Sequence, residues 1–504
     1  MTNNIVIYTI VHQPRRLRLP AYPIPHDVSA DELEQLIFDD ALNKFYFHKV
    51  ARYCYHPAFD LFTELVEQGM RFSIGLSISF VDQAMRWDTL LMEKLKRLVS
   101  HQNVELVCVE PYHSFIFYID IIKFQDRLDW ARRRLEQVFG KRPEVAETTE
   151  MFMSREIYHS LARLGYKATL AEGRSQTLDW RSPTYLYRHC DKDLALLFRH
   201  KELSDDVGYR FSQQTWPGYP LTAQTYVDWI KGTKGDFVFV GWDFETFGEH
   251  HSKDTGIFEF LKWLRGELHW RGVETLTISQ AVDKFRGVSF DIDLPVQPTT
   301  WAGLNGDPHF FFGNPAQFEI FLLMNHAYNV ARLTGDSRLI DISLWLCQSD
   351  NLHLLQWLGS NDSSEAEVSS YFTPGYWWNL GASKIPLELQ QVYRNFIDVA
   401  ASRLPERTEP ARRAKPSPKR EIVVNLQPAK ARNPSGSSDQ RRKIAPLPLA
   451  SDGGSLWQGT LNVSPGTYRY KLFVNGDGGC DPNCSGFAPE GCALANCVLT
   501  VTVK

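Results

Sequence analysis

The chain has no stretch of about 18 consecutive apolar residues, the length of apolar sequence that a membrane-spanning helix needs. Its opening, MTNNIVIYTIVHQP, has no basic region ahead of a short apolar run that Thr9 and His12 interrupt, so no secretory leader is expected. Positive charge is not in excess. Lys and Arg number 55 against 59 Asp and Glu, a formal net charge of −4, which argues against nucleic acid or an anionic membrane as the main partner. Cysteine is sparse, with 8 in all, and Cys54, Cys108, Cys190 and Cys347 are scattered as reduced core thiols would be. A cytoplasmic address is the resulting expectation. What the chain does have is 504 residues, 43% of them hydrophobic, enough for a sizeable core and for about two to four domains. Aromatics reach 13%, with 14 Trp and 20 Tyr, which favours a cleft that stacks flat ring faces such as those of sugars. A large aromatic core accounts for much of that excess.

The densest chemistry lies in GDFVFVGWDFETFGEHH, residues 235–251. The run Phe237 to Val240 reads as a strand buried on both faces and stops at Gly241. Asp243, Glu245 and Glu249 follow within seven residues. A carboxylate just past the carboxyl end of a parallel strand sits where barrel enzymes place their chemistry. Trp242, Phe244 and Phe247 can dry a pocket around Asp243, and Gly248 permits close backbone approach. The alternative is an ordinary solvated acidic loop.

Two further segments follow the same plan. Ile5 to Val11 reads as a strand that ends at His12-Gln13-Pro14, because Pro14 cannot continue a ladder. His12 then stands at the strand's carboxyl end, either as a structural His or as a contact to a sugar hydroxyl. Val145 to Glu150 reads as a strand with an acid at its end, and Ser154 as the N-cap of the next helix. Glu150 thus occupies the same kind of place as Asp243, unless it is only a charge favoured by a helix N-terminus. Phe72 to Phe80 and Val104 to Val109 read as strands too, and Ser279 as the cap of a helix through Phe285. This β-then-α rhythm over residues 5–286 supports an α/β barrel of parallel strands. Near residue 300 the pattern becomes helical, through Ala316 to Leu333, Ile340 to Cys347 and Leu387 to Ala400. The expected division is a barrel over 1–299, a helical subdomain over 300–404, a Pro-rich basic linker over 405–417 and a small β-sandwich over 418–504.

These residues resemble glycoside hydrolase family 57, and within it the α-amylase-like members, over roughly residues 5–400. The resemblance rests on HQP at 12–14, FSIGLSISF, VELVCVEPYHSF, ETTEMF, YRFSQQTWPGYPLTAQTYVDW and GWDFETFGEHH, in that order along the chain. It implies an irregular seven-stranded (β/α) barrel with a helical subdomain, retaining chemistry on α-glucans and no catalytic metal or cofactor. It also implies Glu150 as nucleophile, Asp243 as general acid/base and Glu245 as a supporting acid. His12, Trp242, Glu245, His113 and Asp350 are the residues expected to hold substrate. A nearby ionised Glu150 and dry aromatic walls would raise the pKa of Asp243. The chain departs from the family's usual pattern with Thr148 in place of Asn, Phe244 in place of Tyr, and Asn351, Leu352 and His353 in place of an aromatic pair. Open alternatives are a 4-α-glucanotransferase or branching enzyme with the same pair, a metal-dependent deacetylase, and a non-catalytic glycogen-associated scaffold. No clear set of one Asp and two His is visible in the sequence to favour the deacetylase.

The last domain resembles carbohydrate-binding module family 48, the glycogen-binding type, through LWQGTLNVSPGTYRYKLFVNGDGGCDPN. The Trp that such modules place in two loops are missing, from NPSGSSDQRRKIAP and from the DGGC that follows Asn475-Gly476, so weak sugar binding is expected. Cys480, Cys484, Cys492 and Cys497 fall at C-x3-C-x7-C-x4-C. Structural zinc, disulfides and free thiols all remain open for them.

Overall fold

The computed structural model describes residues 2–189, 192–356, 377, 380 and 383–404, and the backbone of six strands between 422 and 501. The chain divides into two compact units, Met1–Pro405 and Glu406–Lys504.

The first unit is built on one curled sheet. Its strands are β1 (Asn4–Val11), β2 (Phe72–Leu76), β3 (Val104–Val109), β4 (Val145–Glu147), β5 (Ala168–Glu172), β6 (Tyr187–His189), β7 (Ala195–Arg199), β8 (Val238–Asp243), β9 (Glu274–Leu276) and β10 (Phe290–Ile292). They run in the order β10-β6-β7-β5-β4-β3-β2-β1-β8, with β9 also paired to β1. All pairs are parallel except β6 with β7. Both faces of the strands are apolar, as helix-covered parallel strands require. Val6, Tyr8 and Ile10 of β1 join Val107, Val109, Leu170, Leu197 and Phe239 in an inner cluster. Ile5, Ile7 and Val11 face the larger outer cluster shared with the helices. The curl brings β7 against β8, where the His200 N–H donates to the Phe239 carbonyl at 2.7 Å.

Several boundaries differ from expectation for local reasons. FSIGLSISF is not one strand: β2 stops at Leu76, and Ser77 accepts from the Phe80 N–H to cap the helix Ile78–Trp87. The helix Ile278–Phe285 is capped by Thr277 rather than Ser279, because Gln280 returns the bond in a capping box. The run Val145 to Glu150 breaks after Glu147 into a tight turn over Thr149–Met151. The strand at Asn4–Val11 and the Ser154 cap stand as expected. The helices Pro315–Thr334, Ser337–Leu346 and Lys384–Ser402 belong to the same compact unit as the sheet. Cys54, Cys108 and Cys347 are buried free thiols, while Cys190 lies outside the described residues. Among the described residues, no helix is long and apolar enough to cross a membrane.

The second unit shows an antiparallel sheet of β11 (Ile422–Pro428), β12 (Leu447–Ser451), β13 (Trp457–Gln458), β14 (Gly466–Val474), β15 (Asp477–Gly479) and β16 (Cys497–Val501). The order is β13-β12-β11-β14-β15, with β16 also on β14. The linker 405–417, the loop at 433–446, Cys480, Cys484, Cys492 and the side chain of Cys497 lie outside the described residues.

Candidate active site

Glu150 sits where β4 has ended and the chain turns sharply. Its backbone is left-handed (φ 54°, ψ 30°), as is that of Met151 (φ 50°). For a non-glycine residue that conformation is costly and persists only where neighbours hold it. Here the loop around residue 300 does so. The Thr300 hydroxyl donates to the Glu150 carbonyl at 2.5 Å, and Trp301 Nε1 donates to the Glu150 carboxylate at 2.7 Å. Arg174 grips that loop in turn, donating to the carbonyls of Trp301, Gly303 and Leu304 at 3.0, 2.8 and 2.8 Å. The Ser349 hydroxyl donates to the second carboxylate oxygen at 3.4 Å.

Asp243 ends β8 on a regular extended backbone, level with Ile10 of β1. Beneath it lies a buried ion network. Arg199 donates to both carboxylate oxygens of Glu172 at 3.0 Å, to Asp205 at 2.7 Å and to the Gly241 carbonyl at 2.8 Å. Glu245 is buried and accepts a short hydrogen bond from the Tyr55 hydroxyl, which itself accepts from Gln13 Nε2 at 2.7 Å. Burial drives the pKa of Glu245 well up, with the Asp243 charge adding to it.

The remaining wall comes from three distant parts of the chain. His12 places Nδ1 2.9 Å from the Ser77 hydroxyl and Nε2 3.3 Å from Asp350. His113 stacks on His12 with ring centroids 4.3 Å apart, and its Nδ1 is 3.1 Å from the Ser349 hydroxyl and 3.7 Å from Glu150. The backbone of His113 is left-handed as well (φ 53°). Glu110 holds that turn by accepting from the N–H groups of Tyr112 and Ser114, and Ser349 N–H donates to the His113 carbonyl at 2.8 Å. Burial pushes the His113 imidazole well below its ordinary value, so it is neutral.

One cavity therefore brings together Glu150, Asp243, Glu245, His12, His113 and Asp350, along with Ile10, Tyr209, His250, Trp301, Ala302, Phe310 and His353. Trp242 is not among these residues. Successive strand residues point to opposite faces, so Trp242 turns into the core, 2% exposed, and donates to the Ser204 carbonyl at 2.8 Å. Phe244 is fully buried against Phe59 and Phe62. A hydroxyl at that position would enter the aromatic core, not the cavity. Trp301, Ser349, Ser77, Arg174 and Arg199 went unnoticed in the sequence, since each acts through a partner that is distant in the chain or lies across the sheet.

The titration of the two central acids differs from the expected order. Burial pushes Glu150 up to about 8, and the charges of Asp243 and Asp350 add to the rise. Burial also raises Asp243, but Arg199 and His12 offset it, and its pKa reaches only about 6. Asp243 has a cation beneath it and Glu150 has carboxylates beside it, so Glu150 is raised the further of the two.

The sequence model of Glycosyl hydrolase family 57 matches residues 6–295, more than half of the chain. The chain belongs to glycoside hydrolase family 57. It is 32% identical over 376 residues to a protein of Methanocaldococcus jannaschii named "Putative alpha-amylase", covering 72% of this chain and 79% of that one. Its fold resembles that of a family 57 branching enzyme from Thermococcus kodakaraensis, with a TM-score of 0.54 at 14% identity, covering 81% of this chain and 97% of that one. It also resembles a branching enzyme of the same type from Pyrococcus horikoshii, with a TM-score of 0.52 at 15% identity, covering 80% and 98%. The curled sheet is consistent with the irregular (β/α) barrel of the family. The chain is an enzyme, a glycoside hydrolase of this family.

Proposed function

We propose that this family 57 enzyme cleaves starch, glycogen or maltooligosaccharides in the α-amylase manner, with retention at the anomeric carbon. The observation that carries the reading is that Glu150, on the turn after β4, and Asp243, at the end of β8, line one cavity although their strands are well separated in the sheet. Glu150 attacks the anomeric carbon as the glycosidic C–O bond breaks, and Asp243 passes its proton to the departing oxygen. Asp243 then takes a proton from water, which displaces Glu150 from the anomeric carbon. Retention expects the two carboxyl groups about 5–5.5 Å apart. His12, His113, Glu245 and Asp350 hold sugar hydroxyls around them.

The cycle needs one proton shared by the pair. The values near 6 and 8 supply that state between them. Bound sugar must leave the proton on Asp243. Trp301 Nε1 and the Ser349 hydroxyl both donate to Glu150 and so favour its ionised form.

The barrel over 1–299, the helical subdomain over 300–404 and a sandwich module of weak glycogen affinity over 418–504 complete the proposal. Incubation with maltooligosaccharides, resolved by length and followed by proton NMR, tests it. Shorter products released first as the α-anomer are expected. Longer products would assign a 4-α-glucanotransferase, and new branch points a branching enzyme. A first product of β configuration would overturn retention.

A further inference from the structure

His12 follows β1, His113 follows β3, and Asp350 opens a one-turn helix (Asp350–His353) more than two hundred residues later. One donor atom of each lies within 4.8 Å of the donors of the other two. The residues around them prepare the rings for a ligand. Each imidazole has its Nδ1 against a hydroxyl, Ser77 for His12 and Ser349 for His113. Such outer contacts fix the tautomer and orientation of metal-binding histidines and leave Nε2 as the ligand atom. His12 Nε2 lies 3.3 Å from an Asp350 oxygen. An ion bound there would take the place of that contact. His113 Nε2 is buried with no hydrogen-bond partner among the described residues.

We infer that His12, His113 and Asp350 form a site for a divalent cation of the zinc class, and that filling it inhibits the enzyme. Two imidazole nitrogens and one carboxylate oxygen are a common ligand set for such ions, with a fourth position left to water. Bonds of about 2.0–2.2 Å require the three donors to close in by roughly 1 Å. The ion would lie in the cavity that Glu150 and Asp243 also line. It occupies space that sugar hydroxyls would take. The inhibition rests on the reading of this cavity as the glucan site, whereas the binding of the ion does not.

The test uses the full chain, stripped with chelator and titrated with zinc chloride in a calorimeter, beside His113→Ala and Asp350→Asn of the same chain. The four cysteines near the C-terminus are common to all three proteins, so any zinc they take cancels in the difference. The native protein is expected to bind one zinc more than either variant, each checked as folded by circular dichroism. Zinc at ten times its Kd is expected to raise the native KM for maltooligosaccharide by roughly tenfold with kcat unchanged, and EDTA to reverse it. Equal zinc uptake in all three proteins would overturn the site. Zinc that activates the enzyme, or lowers kcat alone, would overturn the inhibition. If no α-glucan is cleaved at all, the proposed function fails while the zinc count still decides the site.

Discussion

Glu150 and Asp243 share one cavity but are mounted in contrasting ways. Glu150 rides a left-handed turn, with its carbonyl and both carboxylate oxygens taken by Thr300, Trp301 and Ser349. Asp243 ends an extended strand, and no hydrogen bond contributes to its titration. The difference matches the two tasks proposed. A nucleophile must be aimed within a fraction of an ångström, and fixed donors do that. A proton carrier needs to turn between a leaving oxygen and a water, and close donors would hinder it. The cation is also placed unequally, with Arg199 beneath Asp243 and no comparable partner at Glu150 among the described residues.

The severest way to break this comparison is to remove each charge. Glu150→Gln and Asp243→Asn are each expected to lower kcat on maltooligosaccharides by about 10³-fold or more with the fold retained. Activity within tenfold of native in either variant would reject the pair. Thermal unfolding of Glu150→Gln adds a second reading. Burial raises the folded pKa of Glu150 above its unfolded value, so the native carboxyl opposes folding increasingly as pH climbs from the unfolded value toward about 8. The variant should exceed the native protein in stability by roughly 1–3 kcal/mol at pH 9 and by little at pH 4. An equal difference at both pH values would count against the raised pKa.

Next in size is Trp301→Phe, which deletes the indole donor. A lost hydrogen bond to a charged acceptor costs about 1.5–3 kcal/mol, so kcat/KM should fall by roughly 10- to 100-fold. The native enzyme is expected to show a bell-shaped pH profile with limbs near 6 and 8. Below the lower limb both acids are protonated and no nucleophile remains, and above the upper limb no general acid remains. Without the indole donor the ionised Glu150 is less favoured, so the alkaline limb should move upward. A limb that stays in place would mean that Trp301 acts by packing alone.

The smallest expected effect sharpens the comparison from outside the cavity. Trp242→Phe should change KM less than twofold, because the ring faces the core. It should cost about 1–3 kcal/mol in denaturant unfolding through the unpaired Ser204 carbonyl and the lost volume. A large rise in KM would restore Trp242 to the substrate-binding set.

His12, Asp243 and Glu245 were legible because each follows an apolar run that stops abruptly, and Glu150 because it closes a short strand-like segment just before a capped helix. The side on which a residue falls was less legible. Trp242 beside Asp243 looked like a cavity wall until strand alternation turned it inward. Thr277 took the cap from Ser279 through a reciprocal bond to Gln280. β6 and β10 are three residues each and half polar, with no periodicity to find. Arg174 and Trp301 are 127 residues apart, and no local pattern links a clamp to the loop it grips. The set of His12, His113 and Asp350 escaped for the same reason.

The loop at 300–306 and the helix opened by Asp350 have a consequence for how this enzyme can be divided. A cut at residue 299, where the barrel reads as ending, or at 295, where the family match stops, keeps both central carboxylates. It discards Thr300, Trp301, Ser349 and Asp350, the groups that hold Glu150 in its costly turn and pair with His12. Such a fragment would carry the chemistry without its aim. The sheet and the helices after it therefore form one indivisible catalyst, and a chimaera that exchanges the helices between relatives exchanges part of the nucleophile's support with them.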